Sequence, residues 1–491
     1  MKGNRTTSVI IAATAALAAG ITGYQLTRPG FLFGITPDIS AWLGGSIRLI
    51  HGALPYRDFD LVQPPGFTLL ASPFALLSEW IGTRDALAAL RLCTPLLSAG
   101  SVLLIGRVIR HRGPAAAIVA CGVMAFYPAE VYALRSGLLE SVVDFFCVAA
   151  LALVFDGDGF SPSRRRILLG GIAFGIAGCV KAPAVVPVVV VAVLCLPQFR
   201  QRAVPFLTGV VAGFGIPTLP FFLLAPRSFI RDVISPLASI PSPYRVPTGE
   251  RLSAITGSVA FGVGDGGAVI ATVLIVVIVI AAFVVPPRRP APLEWFAIAA
   301  TVLGALAQLG PSYYFENYAA FMAPFVALLL AIALARLLTL RLPRIALTVA
   351  AAGVLVVFAT QANAIRTSKV VDIASVVDSV VPVGSCTLSD APSKLVTTNR
   401  FVAADPGTCN DMIDPEGATL AYGFRSMGAQ QLWTIEVEHA DYLVTSTPFA
   451  HWDIPPEAPL QSYVAANFRL IRAGGLLFYV RNGFPEGGAG Q

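Results

Sequence analysis

The sequence carries little charge. Only 13% of its 491 residues are Asp, Glu, Lys or Arg, whereas 56% are hydrophobic and the mean hydropathy is +0.74. An ordinary soluble domain carries about 25% charged residues. This shortage excludes a typical soluble protein. It predicts a polytopic α-helical membrane protein, because the apolar runs are long enough to cross about 30 Å of hydrocarbon.

Cysteine and histidine are scarce as well, with 7 and 4 residues. No spacing of Cys and His matches a metal site, and we expect no cofactor. Cys386 and Cys409 lie in the C-terminal quarter, which we place outside the cell, and we expect them to pair because disulfides persist there. The other five lie in apolar runs and are expected to be small packing residues: Cys93, Cys121, Cys147, Cys179 and Cys195.

The two signs of charge are distributed unequally along the chain. Residues 1–364 contain 26 Lys and Arg against 15 Asp and Glu, whereas residues 365–491 contain 8 against 13. The first part is predicted to be a membrane domain among anionic lipids, and nothing indicates a nucleic acid partner. The second part is predicted to be a soluble α/β or α+β domain, because short strand-like runs alternate with turns, at residues 401–403, 419–422, 442–445 and 476–480.

About eleven membrane spans are predicted. Lys2 and Arg5 precede the first, so the positive-inside rule places the amino terminus in the cytoplasm. An odd number of spans then places the C-terminal domain on the outer side of the plasma membrane. A cleaved signal peptide is the alternative interpretation of the first run. The spans lie near residues 8–26, 86–106, 114–133, 138–155, 167–180, 184–197, 203–224, 266–285, 292–310, 318–335 and 344–361.

The first extracytoplasmic loop, residues 28–85, gathers polar groups between apolar runs. Charged groups at the edge of a bilayer need water, partners or a ligand, so we interpret the loop as a functional site; a solvated interfacial loop is the alternative. Residues 39–51 have helical apolar spacing and are predicted to lie in the interface, as are residues 67–81. The polar residues are Asp38, Arg48, His51, Arg57, Asp58, Asp60 and Gln63.

The pattern PD(x)13GALPYRDFDLVQPPG resembles the first extracytoplasmic loop of the GT-C superfold membrane glycosyltransferases, which use polyprenyl-phosphate sugars. The likeness is to the protein mannosyltransferase and aminoarabinose transferase type, including actinobacterial members. It implies that Asp38 is the essential acid and that Gln63-Pro64-Pro65 is the basic-Pro-Pro motif near the lipid phosphate. The chain departs from the family in having a single acid rather than Asp-Glu, and Gln63 in place of the usual Lys. Arg57 is therefore the candidate that we expect to bind the phosphate in its place.

Two further stretches carry candidate ligands on the predicted outer side. In YALRSGLLESVVDFF, Glu140 and Asp144 are four residues apart and share a helix face. The resemblance matches Glu140 to a second acid that helps to hold the acceptor or a metal; an ion pair with Arg135 is the alternative. In PSYYFENYAAFMAP, Asn317 stands where the family commonly has His. The aromatic residues there are divided between an interfacial belt and substrate contacts: Tyr313, Tyr314, Phe315 and Tyr318.

Cations on the same side are candidates for binding the donor phosphate, because guanidinium groups match phosphate oxygens. Lys181, at the turn of the 167–197 hairpin, is either a phosphate ligand or a snorkelling lysine. Four arginines in the loop 226–251 run against the positive-inside tendency, and contact with lipid headgroups is the alternative explanation. They are Arg227, Arg231, Arg245 and Arg251.

Together these residues predict an inverting transfer of a sugar from a polyprenyl phosphate to a hydroxyl. Asp38 is the general base, Glu140 assists, and the cations stabilise the departing phosphate. A divalent metal is not favoured, because a lone Asp38 is a poor metal site and the cations already neutralise a monophosphate. Substrate contacts are assigned to Arg135, Asp58, Asp60, Tyr313, Tyr314, Asn317 and Tyr318.

The resemblance to actinobacterial enzymes also implies a substrate class. The donor sugar is expected to be mannose or arabinose, and the acceptor a hydroxyl of a cell-envelope glycan, lipoglycan or protein. A polytopic transporter or lipid-linked-sugar flippase is one alternative, although the charges gather at one face and no internal repeat is present. An inactive relative that binds glycan through its C-terminal domain is another, although Asp38, Arg135 and Glu140 are all retained.

Overall fold

The computed structural model describes residues 2–28, 30–35, 37–235, 246–285, 288–310, 314–338, 343–367, 370, 372–401, 422, 427–451 and 458–485. The side chains of residues 2–4, 37–41, 316, 343–347, 349–351 and 429 lie outside this description. The described chain divides into two compact units, one of residues 1–27, 93–217 and 243–368, the other of residues 28–92, 218–242 and 369–491. The second unit therefore groups the polar loop 28–85 with C-terminal residues.

Helices dominate the described chain, as the apolar periodicity predicts. Proline and glycine mark many of their ends; for example, Gly113 has a φ of 93° immediately before a helix that starts at Pro114. The helices are α1 Lys2–Thr27, α2 Pro37–Ile50, α3 Gly66–Leu92, α4 Thr94–Ile109, α5 Pro114–Phe126, α6 Pro128–Ser136, α7 Leu139–Val154, α8 Arg164–Val180, α9 Val185–Cys195, α10 Val204–Leu224, α11 Pro226–Phe229, α12 Thr248–Thr256, α13 Asp265–Val284, α14 Pro292–Leu309, α15 Ala323–Leu337, α16 Pro343–Thr367, α17 Ala374–Asp378, α18 Ser393–Val396, α19 Met427–His439 and α20 Ala458–Asn467.

Six segments of the described residues are long and apolar enough to cross a membrane, or seven if the pair α5 and α6, bent by 49°, forms one span. The chain is thus a multi-pass membrane protein. Each of the eleven predicted spans overlaps a helix, but several of these helices are short. The 16 residues of α7 and the 11 of α9 rise only about 24 and 16 Å, less than the hydrocarbon thickness. The number eleven is therefore not established.

In the first unit, α8 and α10 approach each other through glycine. A Cβ atom at Gly171 would lie 2.1 Å from the carbonyl oxygen of Phe206, and one at Gly209 would lie 2.2 Å from that of Leu168. Helices in lipid gain little from the hydrophobic effect between them and rely on such close backbone packing. In the first unit, Cys121, Cys147, Cys179 and Cys195 are buried and Cys93 is exposed, and none of these five forms a disulfide.

A buried ion network joins loops of the first unit. Glu294, at the start of α14, accepts hydrogen bonds from Arg112 at 2.6 Å and Arg336 at 2.7 Å, on separate oxygens. Asp158 lies in the turn of a short hairpin, β1 Phe155–Asp156 and β2 Gly159–Phe160, and pairs with Arg112, Arg288 and His111. Burial opposes ionisation of Asp158, but His111 and Arg112 hold its pKa below its usual range.

The same network bears on the topology. Arg112 and Arg288 lie between helices and Arg336 lies in the last turn of α15; the predicted spans place all three on one side of the membrane, and all three meet around Asp158 and Glu294. These segments therefore lie together at one end of the helices in the first unit. That this end is the cytoplasmic one, and that the amino terminus is cytoplasmic, stay predictions.

The second unit contains a four-stranded mixed sheet made from C-terminal residues. Its strands are β3 Thr387–Ser389, β4 Tyr442–Thr445, β5 Phe468–Ala473 and β6 Leu476–Arg481. Their order is β3-β4-β6-β5; β3 and β4 are parallel, and the other pairs are antiparallel. The predicted strands at 442–445 and 476–480 are confirmed. The other two predicted runs fall mostly outside the described residues, and Tyr422, at the end of one of them, is helical.

Both faces of this sheet are covered by apolar residues. One core contains Trp433 of α19 with Leu443 and Phe468, and the other contains Val377 of α17 with Tyr442 and Phe478. Successive residues of β4 thus enter opposite cores, because side chains of a strand point alternately to the two faces of the sheet. The C-terminal residues thus contain a mixed sheet with apolar cores on both faces. That residues 365–491 form a separate soluble domain outside the membrane stays a prediction.

The two helices predicted within the polar loop are also present in the second unit. Residues 39–51 fall mostly in α2, whose Trp42, Leu43 and Ile47 are buried. Residues 67–81 form the first part of α3, which is broken at Gly82, where φ is 82° and ψ is 163°. Ser46 Oγ donates a hydrogen bond to the carbonyl of Thr68 at 2.8 Å and joins the two helices. Their position at a membrane interface is untested.

Candidate active site

A buried ion pair in the first unit centres on Glu140. This residue lies in the first turn of α7 and is only 2% exposed. Lys181 Nζ donates to Glu140 Oε1 at 2.5 Å, and Asn317 Nδ2 donates to the same oxygen at 2.9 Å. The amino-terminal turn of a helix also favours a negative charge. The structure thus brings together three residues that the sequence selected separately, 41 and 177 positions apart.

Local backbone geometry explains where Lys181 sits. Helix α8 ends at Val180, Lys181 is extended with φ −153° and ψ 135°, and a 3-10 turn follows at Ala182–Ala184. Pro183 cannot extend a helix from α8, because it lacks an N–H group. Lys181 is therefore a buried partner of Glu140 and does not reach out as a snorkelling lysine. Arg135 is not the partner of Glu140; its guanidinium lies 5.0 Å from the ring centroid of Tyr132.

Aromatic residues line the same cluster. The Lys181 ammonium lies 4.2 Å from the ring centroid of Tyr318, a cation–π contact, and the ring of Tyr318 meets that of Tyr314 edge to face at 5.9 Å. Tyr314 is buried, which does not fit an interfacial belt. The carbonyl of Tyr318 accepts a hydrogen bond from Gln308. Tyr318 therefore belongs to the Glu140 cluster, while Tyr313 lies outside the described residues.

A second pair of buried acids escaped the sequence analysis in part. Glu130 of α6 and Asp144 of α7 are 1% and 0% exposed. Within the part of the chain that the structure describes, no other group donates to their four carboxylate oxygens, and the two carboxyl groups lie within hydrogen-bonding reach of each other. Placing carboxyl groups in such surroundings is costly, and acids are retained there mainly for function. The sequence analysis named Asp144 as a residue on the same helix face as Glu140, but it did not name Glu130. The signal that could have identified Glu130 is the presence of an acidic residue within an apolar run.

In the second unit, Arg231 is held between two acids. It donates to Asp60 Oδ1, to Asp232 Oδ1 at 2.6 Å and to the hydroxyl of Tyr422 at 2.7 Å. The amide of Leu61 also donates to Asp232, at 3.5 Å. Burial raises the pKa of Asp60, and raises that of Asp232 to about 6, although Arg231 acts in the opposite direction on both. With its guanidinium occupied in this way, Arg231 is poorly placed to bind a phosphate, contrary to expectation.

Arg57 is in the opposite situation. It is exposed and pairs with its neighbour Asp58 at 2.8 and 2.7 Å, and this hydrogen bonding lowers the pKa of Asp58. Tyr56, which has a positive φ of 67°, donates its hydroxyl to the carbonyl of Gln63 at 2.6 Å and so closes the loop between these residues. Arg57 is thus exposed and has one described partner, the half-buried Asp58, which an anion can replace at little cost.

The other arginines of the loop 226–251 divide in the same way. Arg227 is exposed on α11. Arg251 is buried and donates to the carbonyls of Val246 and Gln308 at 3.1 and 3.2 Å, so it anchors backbone and is not aimed at an anion, contrary to the prediction for this group. Arg245 lies outside the described residues.

Asp38 lies in α2, one residue after its first position, but its side chain is not among those described. Cys409 also lies outside the described residues, so its pairing with Cys386 stays a prediction. No group of three or more His, Cys, Asp or Glu residues is arranged to hold a metal ion in the described ranges.

Comparison with known proteins places this geometry in context. No curated protein sequence matches the chain. Solved structures that are similar in fold include ArnT from Cupriavidus metallidurans bound to undecaprenyl phosphate, with a TM-score of 0.61, and the same protein in the apo state, with a TM-score of 0.60. In both comparisons the sequence identity is 14%, and the match covers 95% of this chain and 97% of ArnT. At this identity the likeness establishes the fold.

The family model of glycosyltransferase family 87 matches residues 62–311, which is half of the chain. The matched range includes Gln63, Glu140 and Lys181. It confirms the resemblance to membrane glycosyltransferases and an enzymatic activity rather than transport. The chain is a multi-pass membrane glycosyltransferase and belongs to glycosyltransferase family 87.

Proposed function

We propose that the protein transfers a sugar from a polyprenyl-phosphate donor to a hydroxyl of a cell-envelope glycan, lipoglycan or protein, on the outer face of the membrane. The observation that carries this proposal is membership of glycosyltransferase family 87 together with a fold shared with ArnT, whose structure holds undecaprenyl phosphate. Mannose and arabinose are the proposed sugars, on the strength of the actinobacterial resemblance.

Asp38 is assigned as the general base, because it matches the essential acid of the resembled family. In the proposed step the acceptor hydroxyl gives its proton to Asp38, and its oxygen forms a bond to the anomeric carbon. The bond between that carbon and the phosphate oxygen breaks, and the phosphate leaves with the electron pair. Attack opposite the leaving group inverts the anomeric centre. General-base catalysis of this kind contributes about 10²- to 10⁴-fold.

Glu140 is assigned to the acceptor. Both of its described donors bind Oε1, so a further donor, such as an acceptor hydroxyl, has Oε2 to approach. Asn317 and Tyr318 extend the same cluster and are proposed substrate contacts, with Tyr313, Tyr314 and Arg135 as further candidates. Lys181 holds Glu140 in an ion pair, and its charge is available to a donor phosphate only if this pairing changes.

The donor phosphate is proposed to bind Arg57, Arg227, Arg245 and the Gln63 segment. Arg57 and Arg227 are exposed, as an anion ligand must be before substrate arrives. Arg231 is better assigned to holding Asp60 and Asp232 in place. Preorganised cations in a site without bulk water stabilise the negative charge that develops on the leaving phosphate.

The arrangement of domains remains part of the proposal. Residues 1–364 form the membrane catalytic domain, with a cytoplasmic amino terminus, and residues 365–491 form an extracytoplasmic domain. A disulfide between Cys386 and Cys409 fits this placement. Thiol labelling of protein isolated without reductant should leave both cysteines unmodified, whereas labelling of both would argue against the pairing and the sidedness.

The experiment that tests the function uses membranes that contain the protein and a panel of radiolabelled polyprenyl-phosphate sugars. The expected result is consumption of one donor by the wild-type protein and of none by the Asp38→Ala variant. Each donor is confirmed as usable with a second, known transferase. If the wild-type protein consumes none of the confirmed donors, the proposed donor class is wrong.

A further inference from the structure

The break in α3 is closed by a residue far along the chain. Gly82 interrupts the helix with a φ of 82°, and Asn399 lies against it with a φ of 54°. Asn399 Oδ1 accepts a hydrogen bond from the amide of Arg84 at 2.9 Å and one from Thr83 Oγ1 at 3.3 Å. Thr83 Oγ1 also donates to the carbonyl of Val396 at 2.8 Å.

This geometry is that of a helix cap supplied by another segment. Where a helix restarts after a break, its first amides lack a carbonyl four residues earlier, and an Asn side chain is a preferred acceptor for them. A Cβ at Gly82 would lie 2.7 Å from Asn399 Oδ1, so glycine permits both the positive φ and the contact. Gly82 and Asn399 therefore act together: the glycine allows the break in α3, and the asparagine caps the helix that restarts after it.

The segment that contains Asn399, residues 396–401, also contacts α2. The ring of Phe401 lies so close to Gly44 that a Cβ there would be 2.8 Å from it. A Cβ at the next residue, Gly45, would lie 3.6 Å from the ring of Phe59 and 3.7 Å from Thr68 Oγ1. Helix α2 is thus confined between Phe401 on one side and the polar loop and α3 on another.

Further bonds tie this segment to the rest of the second unit. Arg84 forms an ion pair with Asp372 at 2.5 Å, donates to the carbonyl of Thr397 at 2.9 Å and lies 3.9 Å from the ring centroid of Phe33. Arg400 donates to the carbonyl of Val381 at 2.7 Å and pairs with Asp378 at 2.8 Å. Residues 396–401 therefore connect α2 and α3 to the region that carries the sheet.

We propose that residues 396–401 are a positioning element for catalysis: by capping α3 at Gly82 and confining α2 at Gly44, they fix the helix that carries Asp38. Asp38 precedes Gly44 by six residues in the same helix, about 9 Å along its axis. Asn399 and Phe401 are thus positioning residues that touch no substrate. The catalytic part of this inference rests on the proposed role of Asp38.

The test uses the full-length protein and two variants of one residue. Asn399→Gly keeps the left-handed backbone but removes the capping oxygen, whereas Asn399→Asp keeps an acceptor oxygen in a residue that tolerates this conformation. Asn467→Ala is the control, because Asn467 lies at the end of α20 and donates to the carbonyl of Tyr463 within the same helix. Two quantities are measured: hydrogen exchange of the α2 amides, and kcat and KM for the donor.

We expect Asn399→Gly to speed exchange of the α2 amides about fivefold, which corresponds to loss of one helix cap. Its kcat should fall about tenfold with the donor KM little changed, because a small misplacement of a reacting group lowers the rate far more than binding. Asn399→Asp and Asn467→Ala should resemble the wild-type protein in both measurements.

Three results would overturn the inference, and they can be told apart. Exchange of α2 at the wild-type rate in Asn399→Gly contradicts the positioning contact itself. Faster exchange with unchanged kcat contradicts its role in catalysis. A wild-type protein that uses no polyprenyl-phosphate donor overturns the proposed function, and with it the catalytic part, whereas the exchange experiment needs no donor and still reports on the contact.

Discussion

Two buried glutamates of the first unit have opposite surroundings. Glu294 accepts from Arg112 on one oxygen and from Arg336 on the other, and the second oxygen also accepts the amide of Ala291. Glu140 receives Lys181 and Asn317 on a single oxygen. Both residues are at most 2% exposed, so burial does not distinguish them.

The difference lies in what each carboxylate can still bind. Both oxygens of Glu294 are occupied by guanidinium groups, of Arg112 after α4 and of Arg336 in the last turn of α15, and such an arrangement fixes the ends of helices. Glu140 has an amide and an ammonium on one side only, and an aromatic ring rather than a second acid stands against its lysine. The second unit repeats the contrast with arginines: Arg231 is held by two acids, and the exposed Arg57 by one neighbour, Asp58. Saturated groups hold structure, and open groups are those we assign to substrate.

The largest effect is expected when the saturated glutamate is neutralised. Glu294→Gln leaves Arg336 and Arg112 short of a buried counter-charge, and removing one partner of a buried pair costs about 3 kcal/mol or more. We expect a clear fall in the midpoint of thermal unfolding in detergent. Transfer per folded molecule, measured well below that midpoint, should be unchanged. A large loss of transfer per folded molecule would show that Glu294 is not merely structural.

Neutralising the open glutamate should do the reverse. Glu140→Gln is expected to lower kcat/KM for transfer by about 10- to 100-fold, because a charged hydrogen bond to the acceptor contributes about 1.5–3 kcal/mol. Since Lys181 is then left unpaired, the double variant Glu140→Gln with Lys181→Gln should recover stability but not transfer. Steady-state kinetics and thermal unfolding of both variants are the measurements. Full transfer by the double variant would contradict the assignment of Glu140 to substrate.

The acid partners of Arg231 in the second unit predict that the stability of the protein depends on pH. The pKa of Asp232 is raised to about 6 in the folded state, above the value of 3.8 expected for the unfolded chain. Between these values the folded state binds more protons, so this group makes stability fall as pH rises. The loss from about pH 4.5 to 7 is about 2 kcal/mol.

Comparison of the wild-type protein with Asp232→Asn isolates this contribution. Asparagine does not titrate, so the unfolding midpoint of the variant should improve relative to that of the wild-type protein as pH rises through this window. A difference between the two proteins that stays constant with pH would mean that Asp232 keeps an ordinary pKa despite its burial.

The smallest effect is expected at the open arginine. Arg57→Gln should leave the unfolding midpoint unchanged, because the Arg57 side chain is exposed and Asp58 keeps the hydrogen bond from the amide of Leu54. If Arg57 binds the donor phosphate, the donor KM should rise about fivefold with kcat little affected, since a charge-assisted hydrogen bond is lost. Arg231→Gln is the matched control, and its main effect should be a lower unfolding midpoint rather than a higher donor KM. Equal KM values for Arg57→Gln and the wild-type protein would remove Arg57 from the site.

Much of the fold follows from local sequence. The helices at residues 39–51 and 67–81, the start of α7 at Leu139 and the strands at 442–445 and 476–480 all have apolar periodicity or flanking turn residues that act within a few positions. The strand β3 has only three residues, and its burial depends on its parallel neighbour β4, 55 positions away. Nothing local marks such a strand.

Pairing is where sequence reasoning failed. Arg135 is five positions from Glu140 and was considered as its partner, yet the pair forms with Lys181, because the extended residue after α8 turns that side chain into the bundle. The sequence analysis did not select Asp232, the neighbour of Arg231. Its burial depends on contacts of this segment with Asp60 and Leu61, 171 positions earlier in the sequence. Sequence spacing identifies charged residues in unusual places, but the packing of the helices determines which of them form ion pairs with each other.

The most direct test of the account is single-turnover transfer by Asp38→Asn, with binding of the polyprenyl-phosphate donor measured on the same protein. The account predicts that donor binding is retained, because Asn has the size of Asp, and that the rate of transfer falls by about 10²- to 10⁴-fold, because the amide cannot accept the acceptor proton. Transfer at the wild-type rate with normal donor binding would contradict the assignment of Asp38 as the base.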